Sequence, residues 1–273
     1  VFGVVLITTK VPEVDKTTVF YSTNFAKKSP IAVPDFVTDG YTNAKMFAEA
    51  FVNRESSFPQ NMNKTLKFSQ AYLDNFKNKV ESGQPYDEVE IDPLTGEYVY
   101  YGSTDWYGLL YKDNLNYTEN NLSISTSGPK ASFMISGRLL NQDGLFRYNS
   151  DDYSMKNFRA KGSLQLTPWL RLDNNTDYTD QDYHNPLNVG EGGGIWRNIA
   201  DEGHSNATMF NPDGTLTMAA VYHVGDFWYG KNGIDTKKRV FRNTTALSTS
   251  FFEDKFRVTG NFTFRNTANT IAQ

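Results

Sequence analysis

The chain has 273 residues, a net charge of −4 and no cysteine, which excludes disulfide frameworks and thiolate metal sites. Its basic and acidic residues are mixed, so it lacks the basic surface that binds nucleic acid. Only 38% of its residues are hydrophobic, against roughly 45–50% in globular chains, yet 15% are aromatic. No run of 18 apolar residues occurs, which excludes a transmembrane helix but leaves a transmembrane β-barrel open.

The chain begins with two β-rich runs, followed by a long excursion with helical periodicity. Residues 3–10, GVVLITTK, form an apolar run, and residues 17–25 alternate like a strand. Within residues 30–113, two segments, 42–53 and 63–82, place apolar side chains at helical spacing: Phe47, Phe51 and Val52 in the first, and Leu66, Leu73, Phe76 and Val80 in the second. A small hairpin is predicted about the turn at residues 92–96.

From Leu122 onwards the pattern changes to strict alternation. Apolar and polar side chains alternate on either side of short turns at Gly128, Pro168 and Asp254, in strands of about ten residues. Such strands have one apolar face and one polar face. Two interpretations fit this pattern: a soluble sandwich whose polar face meets water, or a membrane barrel whose apolar face meets lipid.

The lengths of the connections favour the barrel. Seven strands can be counted, and short turns alternate with longer loops at residues 30–113, 141–157 and 180–236. Short turns on one rim and long loops on the other are typical of bacterial outer-membrane barrels. A β-sandwich does not require its short and long connections to lie at opposite ends. The long loops are therefore predicted to be extracellular. Seven strands leave two open edges, so we expect further strands in a longer protein.

Several short strings point to a family. They occur in the order GVVLITTK (3–10), DPLTGE (92–97), TDW (104–106), NLSIS (121–125), NQDGLF (141–146) and WL (169–170). In this combination they resemble SusC/RagA-like TonB-dependent outer-membrane transporters. The turn SGPK (127–130) and the unusually long first loop depart from the family pattern.

The resemblance implies a fold and a location. It implies an all-β, antiparallel transmembrane barrel segment, about seven strands of a 22-stranded plugged barrel, with helices in a long extracellular loop. Residues 1–15 would be the end of the plug domain, and residues 16–273 the first part of the barrel in the bacterial outer membrane.

The resemblance also implies a function. The protein would import a bulky oligosaccharide or oligopeptide with energy from TonB, beside a SusD-like surface lipoprotein, and would have neither a cofactor nor enzymatic activity. The TonB-binding segment would lie upstream of Val1.

Three sets of candidate residues follow from the alternation and the loops. Aromatic residues of the long loops are candidates for contact with substrate or partner, or else for packing the loops together: Trp106, Tyr107, Trp196, Phe227, Trp228 and Tyr229. Polar residues at alternate positions are expected to face a wet lumen: Arg138, Arg159, Lys161, Gln165, Arg171, Asp173, Arg257, Asn261 and Arg265. Their apolar neighbours are expected to face lipid: Phe133, Ile135, Leu139, Leu164, Leu166, Phe256, Val258, Phe262 and Phe264.

Other chemistry finds little support. His184, His204 and His223 fall in the third long loop without metal-binding spacing, and no catalytic or phosphate-binding motif is present. Triplets of the form Asn-x-Ser/Thr begin at Asn121, Asn174, Asn243 and Asn261, and a polar lumen face generates such triplets by chance. Two alternative functions stay open: a soluble or surface-tethered carbohydrate-binding β domain, and a passive porin.

Overall fold

The computed structural model describes residues 15–186, 199, 203–230, 232–252 and 255–273. Three features predicted from the sequence lie outside these residues: the apolar run at 3–10 with nearly all of the plug remnant, Trp196, and Asp254 in the last turn. They stay predictions.

Seven long strands form one antiparallel sheet in the order β1-β4-β5-β6-β7-β8-β9. The strands are β1 Lys16–Lys28, β4 Leu115–Ser127, β5 Ala131–Asp143, β6 Asp152–Thr167, β7 Leu170–Pro186, β8 Gly233–Phe251 and β9 Phe256–Ala272. Strands β2 Val89–Ile91 and β3 Tyr98–Tyr100 form a separate hairpin within the first loop, so β1 pairs with β4. The predicted all-β fold with an antiparallel seven-stranded sheet is confirmed. Among the described residues, no helix is both long and apolar enough to cross a membrane.

The strands are longer than the alternation indicated. β7 runs on to Pro186 and β8 starts at Gly233, so their connection covers residues 187–232 instead of 180–236. Likewise β5 and β6 are joined by residues 144–151, a shorter connection than the predicted 141–157. Polar residues occupy both faces in these extensions, which removes the alternation, while the backbone hydrogen-bond ladder continues.

The first loop contains three helices: α1 Gly40–Glu55, α2 Gln70–Glu81 and α3 Trp106–Leu110. Side chains of Asp39 and Ser69 cap the first two by accepting hydrogen bonds from the amides of Thr42 and Tyr72. The predicted apolar stripes are correct only in part. α1 buries Ala44 and Ala48 while Val52 is exposed, and α2 starts seven residues later than predicted, at Gln70. Small residues face the core on α1 because its backbone lies close to neighbouring loop segments, where a Cβ at Gly40 would meet the carbonyl of Gly102.

The hydrophobic core lies in the loops and not in the sheet. The first loop packs against residues of the third, which forms α4 Met218–Ala220, a π-helical turn Val221–Gly225 and α5 Asp226–Tyr229. Phe76, Leu110 and Phe227 are at most 1% exposed in this shared core. In the described parts of the seven strands, the buried apolar side chains are Leu140 and, at the end of β7, Pro186. We call the packed first and third loops the loop subdomain.

Candidate functional site

The strand register separates the two predicted sets of wall residues onto opposite faces of the sheet. Paired residues of antiparallel strands point to the same side, and the pairs Arg138–Asn157, Arg159–Asp177, Lys161–Asn175 and Arg171–Gln165 belong to one face. Asp173, Arg257, Asn261 and Arg265 follow on that face by register. The nine predicted lumen residues therefore share one surface, called here the polar face. That this surface lines a lumen stays a prediction.

Ion pairs connect neighbouring strands across the polar face. Asp177 of β7 binds Arg159 of β6 on one side and Arg242 of β8 on the other, where the Nη2 to Oδ2 distance is 2.7 Å. Arg138 lies 2.9 Å from Glu119 through Nε and Oε1, and Asn121 donates to the same carboxylate oxygen at 3.0 Å. Asp177 and Glu119 are only 16% and 18% exposed. These interactions fix the arginine side chains in place.

Arg138 and Arg159 of these networks were predicted from the sequence, whereas Glu119, Asp177 and Arg242 were not. A signal for them was available. All three stand at polar-face positions of alternating strands, directly beside the arginines once the register is known.

A groove of about 720 Å³ lies over the middle of the polar face, lined by residues that include Arg138, Arg159, Arg242 and Arg265. Basic side chains outnumber acidic ones on this face, since Lys161, Lys238 and Arg257 add to the arginines. The groove thus offers fixed donors to carboxylates and carbonyl oxygens.

The opposite surface, called here the apolar face, is exposed. Eight of the predicted lipid-facing residues share it by register, and Leu166 lies beside them at a bulge between Gln165 and Thr167. Phe133, Phe256 and Phe262 are 54%, 56% and 70% exposed. At the short-turn end, Trp169 stacks on Phe251 with ring centroids 5.9 Å apart.

Four polar side chains interrupt the apolar face near the middle of β7 and β8. Asn174, Thr176, Asn243 and Thr245 form six hydrogen bonds with one another, of 2.7–3.3 Å. Their two amides and two hydroxyls carry six hydrogens, and each is donated within the group. We call these four residues the Asn/Thr cluster. Two of the Asn-x-Ser/Thr triplets, at Asn174 and Asn243, therefore lie on the apolar face and not on the polar face where chance was expected to produce them.

The structure corrects two of the predicted aromatic contact residues. Trp106 is 2% exposed, donates its indole N–H to the carbonyl of His204 at 3.1 Å and stacks on His223 at 4.8 Å. Phe227 is 1% exposed and packs on Phe146. Both rings are core residues, because they pack the two loops together and have no surface left for a ligand.

The remaining described aromatics keep accessible surface. Tyr107 is half-buried, while Trp228 and Tyr229 are 39% and 65% exposed. Trp228 is held between Tyr148, at 4.7 Å, and Phe210, at 5.6 Å. The indole ring of Trp228 is therefore held in place by its neighbours but remains partly exposed at the surface of the loop subdomain.

The predicted loop histidines lie in three different settings. His223 is 1% exposed, and its Nδ1 contacts the carbonyl of Ala219. Burial, helped by the nearby His223, lowers the pKa of His204 to about 4. His184 lies in β7, with Nδ1 2.7 Å from Asp235 Oδ1 and Nε2 3.2 Å from Asn149 Oδ1. Among the described residues, no group of three or more potential ligands could hold a metal ion.

Comparison with known proteins gives matches at the level of structure alone. No family model matches the chain. No curated protein matches it either. Among solved structures, the RagAB peptide importer in its "closed-closed" state matches with a TM-score of 0.58 and 13% identity, over 96% of this chain and 30% of that chain.

Two related structures match in the same way. The "open-open" state of the RagAB peptide importer gives a TM-score of 0.56 at 12% identity, over 96% of this chain and 29% of that chain. The RagAB peptide transporter gives 0.53 at 10% identity, over 88% and 27%. This chain thus shares its fold with part of these transporter chains and spans less than a third of their length.

Proposed function

We propose that this chain forms part of the wall of a SusC/RagA-like TonB-dependent transporter in the bacterial outer membrane. The observation that carries the proposal is a single sheet with a charged, hydrogen-bonded face and an opposite face of exposed Phe, Leu and Ile. An apolar surface of this size is unfavourable in water, because removing each Å² of it from water lowers the free energy by roughly 25 cal/mol. In a bilayer the same surface would contact the apolar lipid chains, so this free-energy cost would not arise.

The apolar face fits lipid in two further respects. The ring pair of Trp169 and Phe251 lies at the end where aromatic residues of barrels meet the membrane interface. The Asn/Thr cluster donates all its hydrogens internally, so these polar groups need no water. A soluble carbohydrate-binding domain would need neither feature.

The cargo is an oligopeptide or an oligosaccharide, imported with energy from TonB. A SusD-like lipoprotein covers the outer mouth, as the family resemblance implies. The structural likeness to peptide importers favours the peptide. The surplus of basic residues on the polar face suits peptide carboxylates and carbonyls better than neutral sugars.

The loops at 29–114 and 187–232 form the extracellular side, and Tyr107, Trp228 and Tyr229 contact substrate or lipoprotein there. Residues 1–15 are the end of the plug. The protein is a transporter and not an enzyme.

Uptake by cells with the full-length protein tests this function. We expect deletion of the gene to abolish import of fluorescent oligopeptides or oligosaccharides too large for porins, and collapse of the proton gradient to do the same. Import that survives the collapse would identify a passive porin. Full-length protein that stays soluble without detergent would identify a carbohydrate-binding module.

Orientation is tested separately with single cysteines in this cysteine-free chain. An impermeant maleimide applied to intact cells should label Asp213→Cys in the third loop and not Gly128→Cys in a short turn. The reverse pattern would place the long loops in the periplasm.

A further inference from the structure

The loop subdomain contains a groove of about 810 Å³ beside the β2–β3 hairpin. One wall is β3 itself, Tyr98–Tyr100, and the other is the segment of residues 60–69 that precedes α2. Lys67 and Glu97 form an ion pair that joins the two walls. Tyr72 and Asn206 lie at the bottom of the groove.

The outer edge of β3 faces this groove. Within the hairpin, the amide of Asp92 donates to the carbonyl of Glu97, and the amide of Tyr101 donates to the carbonyl of Glu88. Val99, which pairs with Glu90, is therefore the residue of β3 whose backbone groups point towards β2. The backbone groups of Tyr98 and Tyr100 point outward, away from β2. The carbonyl of Tyr100 confirms the direction, because it accepts a hydrogen bond from the Tyr72 hydroxyl at 2.6 Å.

A chain of hydrogen bonds holds this edge in place. The Tyr72 hydroxyl gives its one hydrogen to the Tyr100 carbonyl and therefore acts as acceptor for Asn206 Nδ2, at 2.9 Å. This fixes the orientation of the Asn206 amide. Asn206 is 2% exposed, and its Oδ1 accepts no hydrogen bond from the part of the chain that the structure describes. A buried acceptor of this kind is costly unless a ligand or water completes it.

We propose that this groove binds an extended segment of the imported oligopeptide, which adds as a third strand to the outer edge of β3. The Tyr98 N–H and C=O and the Tyr100 N–H recur at the spacing of a strand, and an extended peptide backbone offers the matching acceptors and donors. Sugar hydroxyls have no such regular alternation. The Tyr98 and Tyr100 side chains, with ring centroids 6.5 Å apart, lie along the same segment and contact alternate residues of the peptide.

The inference rests on the proposed transport function and specifies where its cargo is held. Hydrogen exchange of the full-length protein, purified with its lipoprotein, tests it directly. A tryptic digest of casein is the peptide probe, and maltoheptaose is the sugar probe. We expect the digest to slow exchange of the Tyr98 amide at least tenfold and maltoheptaose to leave it unchanged.

A pair of variants at one position supplies the control. Tyr98→Pro removes the outward N–H without removing a hydrogen bond to β2, and it should reduce the amount of bound peptide about fivefold to tenfold, the usual effect of one lost hydrogen bond. Tyr98→Ala keeps the N–H and should bind more peptide than the proline variant.

Each other outcome has a distinct meaning. Unchanged exchange at Tyr98 while cells still import the digest would overturn the groove and leave the transport function standing. Slow exchange caused by the lipoprotein alone would assign the edge to the partner and also overturn the proposal. Failure to import any peptide or sugar would reject the transport function itself.

Discussion

Arg242 donates to Asp177 at 2.7 Å across the β7–β8 pair, while Arg159 of β6 contacts the other oxygen of the same carboxylate. One carboxylate, 16% exposed, is thus shared by two guanidinium groups, and the three side chains together carry a net charge of +1. We expect Asp177→Asn to destabilise the full-length protein by about 1–3 kcal/mol, because two cations lose their shared partner. Urea unfolding in detergent micelles measures the change.

Asp173 in the same strand provides the matched control. It forms an ion pair with Arg171 in the same strand, at 2.9 Å, and is 37% exposed. Asp173→Asn should therefore cost about 0–1 kcal/mol. Equal costs for the two substitutions would show that the three-residue network has no special role.

Adjacent residues of β9 test which face meets lipid. Phe262 is 70% exposed on the apolar face, and Asn261 belongs to the polar face. We expect Phe262→Arg to cost about 2–4 kcal/mol in phospholipid vesicles, and Asn261→Arg to be nearly neutral. Similar costs at the two positions would contradict the assignment of the faces.

The Asn/Thr cluster gives a test that depends on the surrounding solvent. Asn174→Leu removes the acceptor of one Asn243 amide hydrogen and of the Thr176 hydroxyl, and in lipid this should cost about 1–3 kcal/mol. Replacing the second amide as well, in Asn174→Leu/Asn243→Leu, should recover part of that loss. On a face bathed in water the single substitution would have little effect, since water would replace the lost partner.

His204 makes the stability of the loop subdomain depend on pH. Its pKa is lowered from 6.5 to about 4, so below pH 6.5 the unfolded loop binds a proton that the folded loop does not. Stability should fall by about 1–3 kcal/mol as the pH drops from 6.5 to 4. Hydrogen exchange of α3 measures this loss, and His204→Gln should remove most of it. An identical pH profile in the variant would assign the effect to another group.

Two tryptophans of the loops should respond differently to alanine. Trp106 is 2% exposed in the core, so Trp106→Ala should destabilise the loop subdomain by about 3–5 kcal/mol. Trp228 is 39% exposed, so Trp228→Ala should weaken substrate capture while the subdomain stays folded. Unchanged uptake with Trp228→Ala would remove this ring from the candidate site.

Alternation predicted the wall strands because period-two patterning reports directly which face a side chain occupies. It could not predict where the strands end, because beyond the apolar band even the positions on the side of the apolar face, such as Asp180 and Arg239, carry polar residues. It also could not pair Asp177 with Arg159 and Arg242, because register between strands is set by the turns and the complete ladder.

The loops were less predictable for another reason. Trp106 and Phe227 look like exposed recognition residues in a polar sequence, but they pack in a core assembled from two loops that are far apart in the chain. Helical spacing within α1 pointed to Phe47, Phe51 and Val52. Phe47 does pack against the core, but the close approach of Gly40 to Gly102 makes Ala44 and Ala48 the fully buried residues. Such contacts have no local signal.

The shared core of the loop subdomain also constrains how the chain can evolve. Trp106 stacks on His223, and the amide of Gly102 donates to the carbonyl of Asn206, so the two loops meet although two strands, β5 and β6, separate the hairpins that carry them. If one loop alone were exchanged for that of a related protein, the core residues of the other loop would lose their packing partners. New cargo specificity would therefore be acquired by replacing both loops together, or by changing residues such as Tyr98 that lie outside their contact.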